Sequence, residues 1–102
     1  MPVAVFLAKA DTLRAKGALA LFSSDVGLLK AELNASALGV RKQIKAEAAV
    51  GKPSACPPDR AALTLDDILT QIRSYPVEAR ARIPEYNAVA DMIRKRYPCP
   101  AR

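Results

Sequence analysis

Two kinds of side chain in this sequence carry chemistry beyond simple charge: the cysteines Cys56 and Cys99, and the adjacent carboxylates Asp66 and Asp67. A thiol pair can close a disulfide, ligate a soft metal or act as a redox couple. Here the cysteines stand 43 positions apart, no Cys-x-x-Cys occurs and there is no histidine. A zinc site and a thioredoxin-type couple are therefore excluded. The missing histidine also excludes Ser-His and Cys-His nucleophiles. General acid-base work would fall to carboxylates shifted by burial. Neighbouring residues on a helix point in different directions, however, and Asp66 and Asp67 follow Thr64 as acids at a helix start do. No glycine-rich phosphate loop is present. The residues read as non-catalytic, with no cofactor and no metal.

Both cysteines lie in proline-bracketed, non-helical contexts, Cys56-Pro57-Pro58 and Pro98-Cys99-Pro100, where proline fixes the local backbone. One reading is a disulfide closing a 44-residue loop, which the chain-entropy model values at roughly 4 kcal/mol. The other is a pair of buried free thiols in a reducing cytosol. A domain this small gains from an added constraint.

The elements that must position these residues read as helices throughout. Hydrophobic residues make up 51% of the 102 residues but aromatics only 5%, so the core must come from Ala, Leu, Val and Ile. Ala and Leu favour helices. Residues 2–16 carry Val3, Phe6, Leu7, Ala10 and Leu13 at helical spacing, with Pro2 suited to the first position and Gly17 to the stop. The run from Ala18 to Phe22 is expected to tuck into the core as an apolar turn. Ser23 or Ser24 then caps a long helix to about Val50, with the stripe Val26, Leu29, Leu33, Ala37, Val40, Ile44 and Ala48. Gly27 and Gly39 weaken it and mark places where another helix approaches closely. Arg41, Lys42 and Lys45 form a solvated face near its C-terminal half.

The segment from Gly51 to Arg60 holds three prolines and reads as an exposed loop. Thr64 caps a helix of residues 65–75 with the face Leu65, Ile68, Leu69, Ile72 and Tyr75, ended by Pro76. Residues 77–83 form a basic turn or short helix. Pro84 starts a last helix through Tyr86, Val89, Ala90, Ile93 and Tyr97, closed by Pro98. No strand-like alternation occurs. The expected architecture is a single all-α domain over 1–102, a small bundle of four principal helices with short extra turns, stapled by one disulfide if the first reading of the cysteines holds.

The longest charge-free stretches are eight residues, far short of the roughly 18 needed to span a membrane. The N-terminus lacks the basic and apolar regions of a secretory signal, so the chain is expected to be cytoplasmic or a trimmed, mature form. The net charge of +6 is spread evenly, +3 in residues 1–50 and +3 in 51–102. That suits a solvated surface with a mild preference for acidic partners better than a nucleic-acid footprint. A helix-turn-helix over 65–97 is also disfavoured. The connection is too long and holds Pro76, and Arg94-Lys95-Arg96 sits at the wrong end of the second helix to read bases.

The second half of the chain has a pattern of its own: a Cys56-Pro57-Pro58 loop, Thr64-Leu65 opening a helix, a Tyr75-Pro76-x-Glu78-x-Arg80 turn and a closing Arg96-Tyr97-Pro98-Cys99. In this it resembles the Tai-type family, the amidase-immunity proteins of type VI secretion. The likeness covers residues 56–99; the helix after Thr64 is about one turn shorter than in the family, and Asp66-Asp67 replaces an expected glycine. The resemblance implies a small periplasmic helical protein, often dimeric, with Cys56 and Cys99 disulfide-bonded, that neutralises a secreted peptidoglycan amidase by covering its active-site cleft. The partner-binding residues expected on the exposed loop are Lys52, Pro53, Ser54, Asp59 and Arg60. The alternatives are a small periplasmic chaperone or stress protein, and a helical oligomerisation module.

Overall fold

A glycine and a pair of prolines set the first boundaries. Helix α1 spans Val3–Lys16 and ends where Gly17 turns with φ +57°, a conformation open to glycine at little cost. A short 3-10 helix, Gly17–Phe22, leads to Ser23, whose hydroxyl accepts from the Asp25 N–H and starts α2, Ser24–Ala49. Helix α3 is Leu65–Arg73; a second 3-10 helix, Val77–Arg82, precedes α4, Glu85–Arg96. The computed structural model describes residues 1–59 and 63–100. Among them there is no strand beyond one isolated pairing of Pro2 with Pro84. The all-α reading and the stapling disulfide are both present.

The Pro2–Pro84 pairing explains a small departure from expectation. Both prolines lie just before their helices rather than in the first turn, with ψ of 148° and 146°. The Val3 N–H donates to the Ile83 carbonyl at 2.8 Å and the Glu85 N–H to the Met1 carbonyl at 2.7 Å. These bonds hold both prolines extended and tie the start of the chain to the start of α4. Likewise α3 stops two residues early, because the Ser74 and Tyr75 amides fold back to Gln71 and Ile72 ahead of Pro76.

Helix α4 lies against both α2 and α3, and α1 closes the remaining side. Val3, Phe6, Ile68, Leu69, Ile72, Ala88 and Val89 are wholly buried where these helices meet. The 26 residues of α2 make it about 39 Å long, and it sets the long axis of the molecule at 48 Å. Thr64 and Asp67 form a reciprocal capping box at the start of α3. Asp67 also receives both Arg96 guanidinium nitrogens, at 3.1 and 2.9 Å, so an acid at one helix N-terminus meets a base at another's C-terminus. The Arg96 hydrogen bond and the cap hold the Asp67 carboxyl down at about 2.

Of the two α2 glycines, only Gly39 marks a close approach: a Cβ there would sit 2.9 Å from Cε2 of Tyr86, whereas one at Gly27 meets nothing within 4 Å. Gly27→Ala should therefore stabilise the protein by about 0.5–1 kcal/mol. Gly39→Ala must displace a ring whose hydroxyl donates to Gln43 at 2.7 Å, and that offsets the same gain. Parallel thermal melts check the difference; equal gains would mean that the ring moves freely.

Within the run Ala18 to Phe22, Leu19 and Phe22 do not tuck into the core; the side chains of Ala20 and Leu21 lie outside what the structure describes. Leu19 is 69% and Phe22 87% exposed. Gly17 directs the chain away from α1, and one short 3-10 helix cannot return to a core that Leu13 and Leu29 already close. Two smaller corrections follow. Ala48 is exposed near the end of α2, beyond the last core contact of that stripe at Ile44, and Leu65 is 40% exposed at the start of α3.

Candidate protein-binding surface

The Cys56–Cys99 disulfide is formed, with Cα atoms 4.9 Å apart, and it pins the loop after α2 to the tail after α4. The Cys56 N–H donates to the Tyr97 carbonyl at 2.8 Å, and Ala55 is buried in the core beside it. Before the disulfide, the Lys52 N–H donates to the Glu47 carbonyl at 2.9 Å. The Ser54 N–H and hydroxyl both donate to Glu47 Oε1, at 3.0 and 2.6 Å. These donors, the Ser54 hydroxyl foremost, lower the Glu47 carboxyl pKa. Past the disulfide, Arg41 donates to the Asp59 carbonyl at 3.3 Å. The loop thus runs back along α2, strapped at Glu47, Tyr97 and Arg41.

That geometry sorts the expected contact residues. Lys52, Ser54 and Asp59 are exposed, although Ser54 spends its hydroxyl hydrogen on Glu47. Pro53 is half-buried, its carbonyl oxygen 3.8 Å from Cys99 Sγ. Arg60 lies outside the described residues. Lys52 and Ser54 sit at the Glu47 end of the loop and Asp59 at the Arg41 end, so the set forms a ridge rather than a cluster.

Beside this ridge runs a trough that the amphipathic pattern did not reveal. A hollow of about 490 Å³ is floored by Ala10 and Leu13 of α1 and Leu29 and Leu33 of α2, with Leu63 and Leu65 on its edge. A second, of about 300 Å³, shares Leu33, Asn34 and Leu63 with the first and continues past Ala37 to Arg41 and Pro57. The stripe Val26, Leu29, Leu33 and Ala37 reads in one dimension as core. Leu29 and Leu33 are core as read, while the placement of α1 and of the start of α3 leaves Val26 and Ala37 half-buried on one flank. Leu19 and Phe22, on the connection between α1 and α2, are exposed apolar side chains.

Two further polar groups are locked rather than reactive. The Tyr75 hydroxyl donates to Asp91 at 2.5 Å and accepts from Gln71 at 3.1 Å, while Lys95 donates to Gln71 at 3.4 Å. Burial, and then the Asp91 bond, pushes the phenol up to about 12, so it stays protonated at neutral pH. Glu85 is wholly buried; Ser36 Oγ hydrogen-bonds its Oε2, and its Oε1 has no partner. Burial raises this carboxyl to about 7, with Glu32 adding repulsion. It is sealed from solvent. Among the described residues no group of three His, Cys, Asp or Glu is placed to hold a metal ion, and no helix is long and apolar enough to cross a membrane.

No family model matches this chain, and neither a curated protein nor a solved structure matches it.

Proposed function

We propose that this chain is a non-catalytic protein-binding domain, an immunity-type inhibitor that works in the periplasm by covering the active-site cleft of a secreted peptidoglycan amidase. The observation that carries the reading is the loop from Gly51 to Asp59. It is non-helical and presents Lys52 and Asp59 outward, yet its backbone is anchored by the disulfide and at Glu47, Tyr97 and Arg41. A surface held in one shape before binding loses little conformational entropy on contact. The disulfide fits an oxidising compartment, and the sequence pattern of residues 56–99 supplies the amidase as partner class.

The test is a titration of amidases encoded beside this chain against the purified, oxidised protein. A stoichiometric complex that abolishes peptidoglycan cleavage is the expected result. Lys52→Glu combined with Asp59→Lys should weaken it about tenfold or more. Full cleavage activity at saturating concentrations of this chain would reject the amidase as partner.

A further inference from the structure

We infer that the trough along α2 docks an amphipathic helix of a partner protein, one whose apolar stripe is flanked by carboxylates. The inference shares with the preceding reading only the premise that this chain binds protein; it depends neither on the loop nor on an amidase. The trough has the form that helix-in-groove recognition needs: its base is the buried Ala10, Leu13, Leu29 and Leu33, and it opens at the half-buried Val26, Ala37 and Leu63 and the exposed Leu65. It follows α2 from Val26 to Arg41, a rise of about 22 Å or roughly four turns of a docked helix. At one end the connection between α1 and α2, Gly17–Phe22, carries the exposed Leu19 and Phe22. A small apolar ligand would leave both in water, whereas a helix continuing over the end of the trough would cover them.

The charge of the rim selects the occupant. Lys30 lines the trough and is exposed, with no ion pair or hydrogen bond among the described residues. Arg41 lines the far end. Arg14, on the wall opposite α2, pairs with Asp66, but both side chains are more than half exposed and such a bridge yields easily to a new partner. Lys16 closes α1 at the same end, also without an ion pair among the described residues. Among the described residues, Asp66 is the carboxylate paired with a cation of the trio Arg14, Lys16 and Lys30, while the nearby Asp25 is paired with Lys9 at 3.5 Å. The rim at the Arg14, Lys16 and Lys30 end is therefore net basic. A second copy of this chain would bring Lys30 against a like-charged rim, while a helix with Glu or Asp beside its apolar stripe would neutralise it.

Backbone amide NMR on the oxidised, full-length chain tests this with two synthetic peptides of about 18 residues. Both carry Leu at i, i+3, i+4 and i+7; one has Glu on the flanks of that stripe and its twin has Lys. The acidic peptide should shift Ala10, Leu13, Leu29, Leu33 and Leu65 in a saturable manner, and the basic twin should bind at least about tenfold more weakly. Lys30→Glu and Phe22→Ser change exposed side chains, so the fold should persist by circular dichroism. Each should weaken the acidic peptide by about tenfold, while Lys52→Glu leaves its affinity unchanged. Equal binding of both peptides, or shifts confined to the Gly51–Asp59 loop, would overturn the inference. So would a dimer seen by light scattering without peptide and dispersed by Phe22→Ser, since a second copy would then be the occupant. A failed titration leaves the amidase experiment standing, and the reverse also holds.

Discussion

Reduction of the Cys56–Cys99 bond is expected to lower the free energy of unfolding by about 4 kcal/mol. The bond joins residues 43 apart, so breaking it restores to the unfolded chain the freedom of a long loop while removing little from the native state. Ala55 stays buried, the Cys56 N–H keeps the Tyr97 carbonyl, and Ser54 keeps Glu47. Domains of this size hold together by about 5–15 kcal/mol in total. At about 4–8 °C per kcal/mol, the thermal midpoint should fall by about 15–30 °C. Helicity at 25 °C should survive, because no helix owes its hydrogen bonds to the disulfide. Circular dichroism melts of the oxidised chain, the reduced chain and a Cys56→Ala/Cys99→Ala variant give the comparison. A midpoint change below about 5 °C would show that the tether contributes little.

The second large effect is an unusual dependence on pH, set by Glu85. Its carboxyl is wholly buried with Oε1 unpartnered. The groups that face it are Ser36 and Glu32 from α2 and the Met1 amine, which itself lies 3.4 Å from Glu32. Burial first, and Glu32 after it, raise the folded-state value to about 7 from the ordinary 4.5. Below pH 4.5 the group is protonated folded or unfolded and is neutral in the balance. Between 4.5 and 7 the folded protein retains a proton that the unfolded chain releases, so stability falls as pH rises. By pH 8 the loss levels off at up to about 3 kcal/mol.

Asp67 works in the opposite direction and at lower pH. With its folded value near 2 against an ordinary 3.8, its contribution is full above 3.8 and disappears as pH falls toward 2. Together the two groups place maximum stability between about pH 4 and 5, more acid than most proteins. Glu85→Gln preserves size and can still bond Ser36. It should raise the thermal midpoint at pH 8 by about 10–20 °C and flatten the curve above pH 5. Parallel pH profiles for the two proteins would show that Glu85 ionises freely in the fold.

Much of the architecture was legible because helical periodicity and its punctuation are local. Val3, Phe6, Leu7, Ala10 and Leu13 repeat at helix spacing, and all are buried. Gly17, Ser23 and Thr64 sit where the backbone needs a positive φ or a side-chain acceptor, and the structure uses each of them so. Glu85 was not legible. It stands one residue after a proline at a helix start, where an acid complements the dipole and is normally solvated. Its burial arises from the first residues of the chain pairing with residues 83–85 across the whole sequence.

The candidate surface divides in the same way. Proline content marked the Gly51–Asp59 segment as a loop, but its straps to Glu47, Arg41 and Tyr97 come from elements distant in sequence or on the far side of a turn. Composition and spacing alone determined an all-helical chain with no histidine-based chemistry and two proline-framed cysteines. Which flank of the α2 stripe stays open, where Leu19 and Phe22 face, and that the two sulfurs meet were decided only by how the helices pack. Periodicity tells which face of a helix is apolar; it carries no information about how many neighbours arrive to cover it.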